Sequence, residues 1–177
     1  RHLMKQIQIY KQNGKYCSFP SVLRMSKGHL MLAFRIAGEN SSLAAKSNLV
    51  THHDPDSAIA LIESFDDGES WSEKSFRIVY RGREGMGVND PGISQLANGD
   101  LLLRVTILDI QATLDRDKII GKIISHRPEH GLVTALHGNI IFRSTDQGRN
   151  WSEYIPFDEN NLLGTCSREP IVELEDG

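Results

Sequence analysis

Cysteine is scarce in this chain of 177 residues: Cys17 and Cys166 are the only two, so no disulfide framework holds the fold. Two unpaired, buried thiols are the expectation. Aromatic residues make up 7%, with Trp71 and Trp151 the only tryptophans. No apolar run approaches the roughly 20 residues that a membrane-crossing helix requires. Residues 1–14 lack the apolar centre of a signal peptide, so no membrane contact is expected, although secreted and periplasmic settings stay open. Basic excess is missing too. There are 20 Lys and Arg against 23 Asp and Glu, a net charge of −3, which argues against a nucleic-acid partner. Sustained 3.6-residue periodicity is also absent, leaving Ser42–Leu49 as the one candidate for a short helix. Among the scattered histidines, His126 and His130 have metal-like spacing. Pro128 between them opposes a helix that would present both on one face.

What is present is a repeat. Ser64-Phe65-Asp66-Asp67-Gly68-Glu69-Ser70-Trp71 matches Ser144-Thr145-Asp146-Gln147-Gly148-Arg149-Asn150-Trp151 at Ser, Asp, Gly and Trp, and Ser-Glu follows each. A second element recurs out of phase with the first. Phe19-Pro20-Ser21-Val22 runs into Gly28-His29-Leu30-Met31-Leu32, and Asp90-Pro91-Gly92-Ile93 runs into Gly99-Asp100-Leu101-Leu102-Leu103. Glu169-Pro170-Ile171-Val172 runs into Asp176-Gly177. The prolines lie 71 and 79 residues apart. A repeat of this length is one supersecondary unit that needs neighbours to bury its core.

The apolar runs read as strands, which makes the chain all-β. Ser21–Met25 and His29–Arg35 form one hairpin, and Ile93–Leu96 and Leu101–Ile107 repeat it across Ala-Asn-Gly-Asp. Ala58–Ser64 and Phe76–Tyr80 flank the first Ser-Asp-Gly-Trp box, and Asn139–Arg143 precedes the second. Proline is expected at the first position of its strand, where no ladder hydrogen bond is lost. Each unit then holds about four antiparallel strands. Ile36–Ser57 and roughly Leu108–Gly138 are expected as long loops. In the box, Asp can accept hydrogen bonds from turn N–H groups, Gly supplies positive φ, and Trp can fold over the turn. Asp66, Asp67 and Glu69 lack the alternating ligands of a calcium loop, so the boxes are read as structural turns, with no metal.

Four-stranded units carrying S-x-D-x-G-x-x-W resemble the Asp-box (BNR) repeats of the sialidase-like, or neuraminidase-like, β-propellers. The resemblance runs from Tyr16 to Gly177. It implies a six-bladed ring of which this chain supplies about two blades and the opening of a third: blade 1 about 16–88, blade 2 about 89–167, and residues 168–177. The remaining blades would be needed to close the ring, and isolated residues 1–177 are expected to be inactive. Ser64, Asp66, Gly68 and Trp71, with Ser144, Asp146, Gly148 and Trp151, would be the structural box residues.

In such propellers the first strand of every blade lines the axis. The resemblance therefore implies that residues before each repeated proline converge: Cys17, Ser18 and Phe19; Asn89 and Asp90; Arg168 and Glu169. It implies a glycoside hydrolase acting on a carbohydrate without a cofactor. Asp54 of His52-His53-Asp54-Pro55-Asp56 falls at the general acid/base, with Asp56 as the alternate. Glu169 of Arg168-Glu169-Pro170 falls at the carboxylate that activates a tyrosine nucleophile, itself lying further downstream. Arg168, Asp90, Asn89 and Asp56 would bind substrate. Ser18 stands where sialidases carry the first arginine of a carboxylate-gripping triad, and serine cannot replace a bidentate guanidinium. That departure favours a propeller hydrolase for another sugar. The alternatives are a carbohydrate-binding propeller without catalysis and a protein-interaction scaffold.

Overall fold

Runs rich in Val, Ile, Leu and Phe form strands, and no α-helix occurs among the described residues. The computed structural model describes residues 6–25, 28–38, 54–83, 85–112, 117–119, 121–127, 131–157 and 165–175. β1 (Lys15–Arg24), β2 (Leu30–Gly38), β3 (Ser57–Ser64) and β4 (Ser72–Arg81) make one antiparallel sheet in chain order. β5 (Met86–Gln95), β6 (Leu101–Ala112), β7 (Lys122–Arg127) and β8 (Leu132–Ser144) make the second, in the order β5-β6-β8-β7. β9 (Ile155–Pro156) pairs with β8 beside Ile140 and Ile141.

β2 is a nearly continuous apolar run because both of its faces are covered. Met31 and Ala33 point with Ile59 and Leu61 of β3 toward Val88, Ile93, Leu103, Val105 and Phe142 of the second sheet. Leu32, Phe34, Ile36, Ala60 and Ile62 occupy the opposite face, with Trp71, Phe76 and the upstream Tyr10. The Tyr10 ring stacks on Phe76, with centroids 4.6 Å apart. Each fully buried aliphatic side chain contributes about 1.5–3 kcal/mol, so the seam between the sheets is the main source of cohesion.

Polar groups bracket that seam. At one end Ser57 Oγ accepts from Val88 N at 2.8 Å and Arg35 Nε donates to Val88 O at 2.9 Å. At the other, Arg77 Nη1 donates to Glu63 Oε1 at 2.6 Å while Nη2 reaches Gly148 O of the second box at 2.8 Å. Gly148 has φ +80, and a Cβ there would come within 3.0 Å of Met31 Cε. The glycine thus serves both the turn and the contact between sheets.

Both boxes fold alike. Ser64 Oγ donates to Asp66 Oδ1 at 2.8 Å and accepts from Gly68 N at 2.8 Å. Ser144 Oγ makes the equivalent bonds to Asp146 Oδ1 and from Gly148 N, both at 2.8 Å. Each carboxylate also takes the amide four residues on, from Ser70 or Asn150, at 2.9 Å. Asp67 (φ 58) and Gln147 (φ 62) precede the glycines, so two consecutive residues are left-handed in each turn.

Four expectations need correction. Pro20 and Pro91 lie within β1 and β5, because each strand carries a bulge there: pairing breaks between Ser18 and Ser21, and between Asn89 and Gly92. A bulge tolerates a residue without an N–H as well as a strand start does. Much of the expected 108–138 loop is sheet, since β6 and β8 pair from Leu101↔Ser144 to Ala112↔Leu132. The cysteines are unpaired, but Cys166 is exposed. The apolar run after Pro170 joins no ladder, and Val172 and Leu174 are exposed. The Ser42–Leu49 helix, most of the Ile36–Ser57 loop, Pro128, His130, Asp176 and Gly177 lie outside the described residues.

Hydrogen bonding holds both box carboxyls well below the ordinary 3.8, at about 2, led by Ser70 for Asp66 and by the Asn150 amide for Asp146. A depressed folded-state value means stabilisation that is complete above the unfolded value and lost as pH falls through the folded one. The melting temperature should therefore drop between about pH 4 and pH 2. A D66N/D146N double variant should melt lower at pH 7 and lose less over that window. An unchanged acid slope in that variant would contradict this account of the boxes.

Candidate functional site

The bulges of β1 and β5 place two non-glycine residues in the left-handed region, Phe19 at φ 54 and Asp90 at φ 45. They occupy equivalent positions of the repeat, each followed by proline. A strained residue of this kind costs of order 1–3 kcal/mol and persists where its surroundings over-determine it, often at functional sites. Phe19, Pro20, Asp90, Pro91 and Arg168 line one cleft of about 240 Å³. The three units therefore meet beside their repeated prolines, through the pre-proline residues Phe19 and Asp90 and through Arg168, two positions before Pro170. Arg168 is 79% exposed, its Nε lies 3.6 Å from Asp90 Oδ1, and its Cζ stands 5.8 Å from the Phe19 ring centroid. Asp90 is only 13% exposed and forms the cleft wall, while Arg168 lies exposed at its mouth.

Other sequence-derived candidates fall around this cleft in different ways. Glu169 is exposed; its N–H donates to Ser167 Oγ at 3.2 Å and its carbonyl accepts from Arg104 Nε at 3.2 Å. Asn89 is nearly buried on β5, opposite Thr106. Asp54 is 0% exposed and does not line the cleft. Its Oδ1 accepts from the Asp56 amide at 2.8 Å, a local turn that explains the Asp-Pro-Asp spacing. Its Oδ2 is buried with no hydrogen-bond partner among the described residues. Asp56 itself is exposed. His52 and His53 lie outside the described residues. Among the described residues, no group of three His, Cys, Asp or Glu side chains is placed to hold a metal ion.

Two arginines were missed by sequence reasoning, although each interrupts an apolar strand: Met31-Leu32-Ala33-Phe34-Arg35 and Leu101-Leu102-Leu103-Arg104. Arg35 is the cross-strand partner of Ser18 and is 0% exposed. It donates to the Val88 carbonyl and does not line the cleft. Desolvation lowers Arg35 to about 10, opposed by the charge of Asp54 and, less strongly, by Tyr16 and Asp90. It stays charged at neutral pH and electrostatically joins Asp54 to the cleft carboxylate Asp90. Arg104 is 4% exposed and contacts both pre-proline residues of the second and third units. The ensemble offers carboxylates, guanidinium groups and an aromatic face, a donor and acceptor set suited to a hydroxyl-rich ligand. A separate cleft of about 260 Å³ lies on the outer face of the first sheet and is mostly apolar, lined by Ile9, Tyr10, Cys17 and Phe34 among others.

No protein-family profile and no curated protein matches the chain. Its structure is similar to that of a protein of unknown function from Dyadobacter fermentans DSM 18053, with 26% identity and a TM-score of 0.64. That likeness covers 84% of this chain and 38% of the other. It is also similar to the Hadza microbial sialidase Hz136, with 18% identity, a TM-score of 0.51, and coverage of 79% and 25%. The chain spans well under half the length of either protein. The two sheets are blades, and the fold is that of a fragment of a sialidase-type β-propeller.

Removing Arg35 takes a compensating positive charge from the buried Asp54 carboxylate and a hydrogen bond from the Val88 carbonyl. R35A should therefore cost about 3–5 kcal/mol in urea unfolding. R35K, which keeps the charge but not the fork, should cost less. Equal stability of R35A and wild type would show that the two groups are not coupled.

Proposed function

We propose that this chain carries part of the active site of a glycoside hydrolase of the sialidase-like superfamily, which cleaves a terminal sugar at the axial mouth of a propeller. The observation that carries the reading is the meeting of Phe19, Asp90 and Arg168 at one cleft, with two equivalent residues held in strained backbone. In this reading blade 1 covers about 16–88, blade 2 about 89–167, and a third blade begins at 168. Further blades complete the ring, in keeping with the chain's coverage of 38% and 25% of its structural neighbours. At about 240 Å³ the cleft is smaller than the ~300–1,000 Å³ of a whole ligand site, as suits a partial ring.

Asp54 is the general acid of this reading, a role that requires its enclosing segment to open so that Oδ2 reaches the cleft, and Glu169 activates a nucleophile supplied by a later blade. Glycosidases of this superfamily differ from the two-carboxylate pattern by using a tyrosine nucleophile. Arg168, Asp90, Asn89 and Asp56 contribute hydrogen bonds to the sugar. A second reading, a carbohydrate-binding propeller without catalysis, is favoured by the complete enclosure of Asp54 and by Ser18.

The test is hydrolysis of a panel of aryl glycosides, sialosides included, by the whole protein that contains this chain. D54N and E169Q should each lower kcat by about 10²–10⁴-fold with little change in KM. Silence across the panel overturns the hydrolase reading. Glycan binding without turnover, undisturbed by either substitution, establishes the binding reading instead.

A further inference from the structure

The bulge at Asp90 breaks the β5–β6 ladder between Asn89 and Gly92, which frees the Asp90 carbonyl from strand pairing. Arg104 takes it up: Nη2 donates to Asp90 O at 2.9 Å, while Nε donates to Glu169 O at 3.2 Å. The two carbonyls belong to equivalent pre-proline residues of successive units. One buried guanidinium therefore spans both.

Its third arm is braced. Nη1 donates to Asn139 Oδ1 at 3.0 Å and to Thr106 Oγ1 at 3.3 Å. Asn139 Nδ2 in turn donates to Thr165 Oγ1 at 3.0 Å, fastening the segment that leads into Glu169. Gly92 leaves the space this requires. A Cβ at that position would lie 2.9 Å from Glu169 O, 3.1 Å from Pro170 Cα and 3.1 Å from Arg104 Nη2, and two of those atoms are backbone. Burial lowers the Arg104 pKa, opposed by the nearby charges of Asp90, Cys166 and Glu169.

We propose that Arg104 is the positioning residue of the cleft, fixing where Glu169 and Arg168 stand relative to Asp90 by clamping two backbone carbonyls in one planar fork. Its kinetic consequence rests on the hydrolase reading above; its structural consequence does not. Lysine at this position keeps the charge but offers no fork, so it cannot hold both carbonyls in fixed directions.

The experiment compares R104K and G92A in the whole protein, by amide hydrogen exchange and by steady-state kinetics. Because loss of a buried guanidinium can compromise folding, G92A serves as the second variant: it retains the Arg104 guanidinium and presses on the Glu169–Pro170 backbone that the guanidinium clamps. Both variants should accelerate exchange across 165–175 by about tenfold or more while β2 and β3 exchange as in wild type. Where the wild type hydrolyses a glycoside, both should lower kcat by about 10²-fold, the cost of an ångström-scale misplacement, with KM within about threefold. Unaltered exchange in 165–175, or an unchanged kcat in an active protein, overturns the proposal. An inactive wild type with accelerated exchange in both variants supports the clamp while removing the hydrolase reading, so the two failures are distinguishable.

Discussion

The packing of β5 against the inner face of the first sheet is the contact on which the remainder depends. Met31, Ala33, Ile59 and Leu61 meet Val88, Ile93 and Val105 in one buried cluster. Hydrophobic contact is non-directional, so it cannot by itself set the angle between blades. Direction comes from the polar groups at its ends. Ser57 and Arg35 bind the backbone of Val88 at the mouth, and Arg77 binds the carbonyl of Gly148 at the box end. Ser21 Oγ accepts from Ile93 N at 3.2 Å between them. These bonds fasten the two sheets to each other at both ends of the seam.

That geometry explains why the candidate site residues collect where the bulges are. A bulged strand frees carbonyls, re-aims side chains and stores strain, and here it does so at the same repeat position in successive blades. Buried arginines on the second strands bind backbone carbonyls nearby: Arg35 of the first sheet reaches Val88 O of the second, and Arg104 reaches Asp90 O and Glu169 O. Fold cohesion and site construction therefore share residues. A substitution in these arginines acts on both, and stability must be measured beside activity.

Much of this was legible in the amino-acid sequence. The boxes announced themselves because Ser, Asp, Gly and Trp at fixed spacing each do local work that tertiary context cannot replace. The X-Pro pairs gave the repeat its phase; of the residues expected to converge there, Phe19, Asp90 and Arg168 line one cleft, whereas Cys17 and Ser18 line the outer one. The bulges were not legible, since Phe-Pro and Asp-Pro read equally well as strand starts. The extension of β6 was missed although Ile110 and Asp109 are buried beyond the apparent end at Ile107: a carboxylate inside an alternating run looks like a loop residue when its neighbours are unknown. Arg35 and Arg104 were overlooked because a cation inside an apolar strand has meaning only once the next blade is in place. The enclosure of Asp54 likewise depends on the backbone at Gly87, where a Cβ would come within 2.7 Å of the Asp54 carbonyl.

The central proposal is that Phe19, Asp90 and Arg168, beside the repeated prolines of successive units, form one cleft that binds hydroxyl-rich ligands. Amide chemical-shift mapping of the protein with soluble mono- and oligosaccharides tests it most directly. Saturable shifts centred on Phe19, Asp90 and Arg168, with the Asp66 and Asp146 turns silent, are the predicted result. Shifts centred on those turns, or no response at Phe19, Asp90 and Arg168 to any sugar, would contradict it.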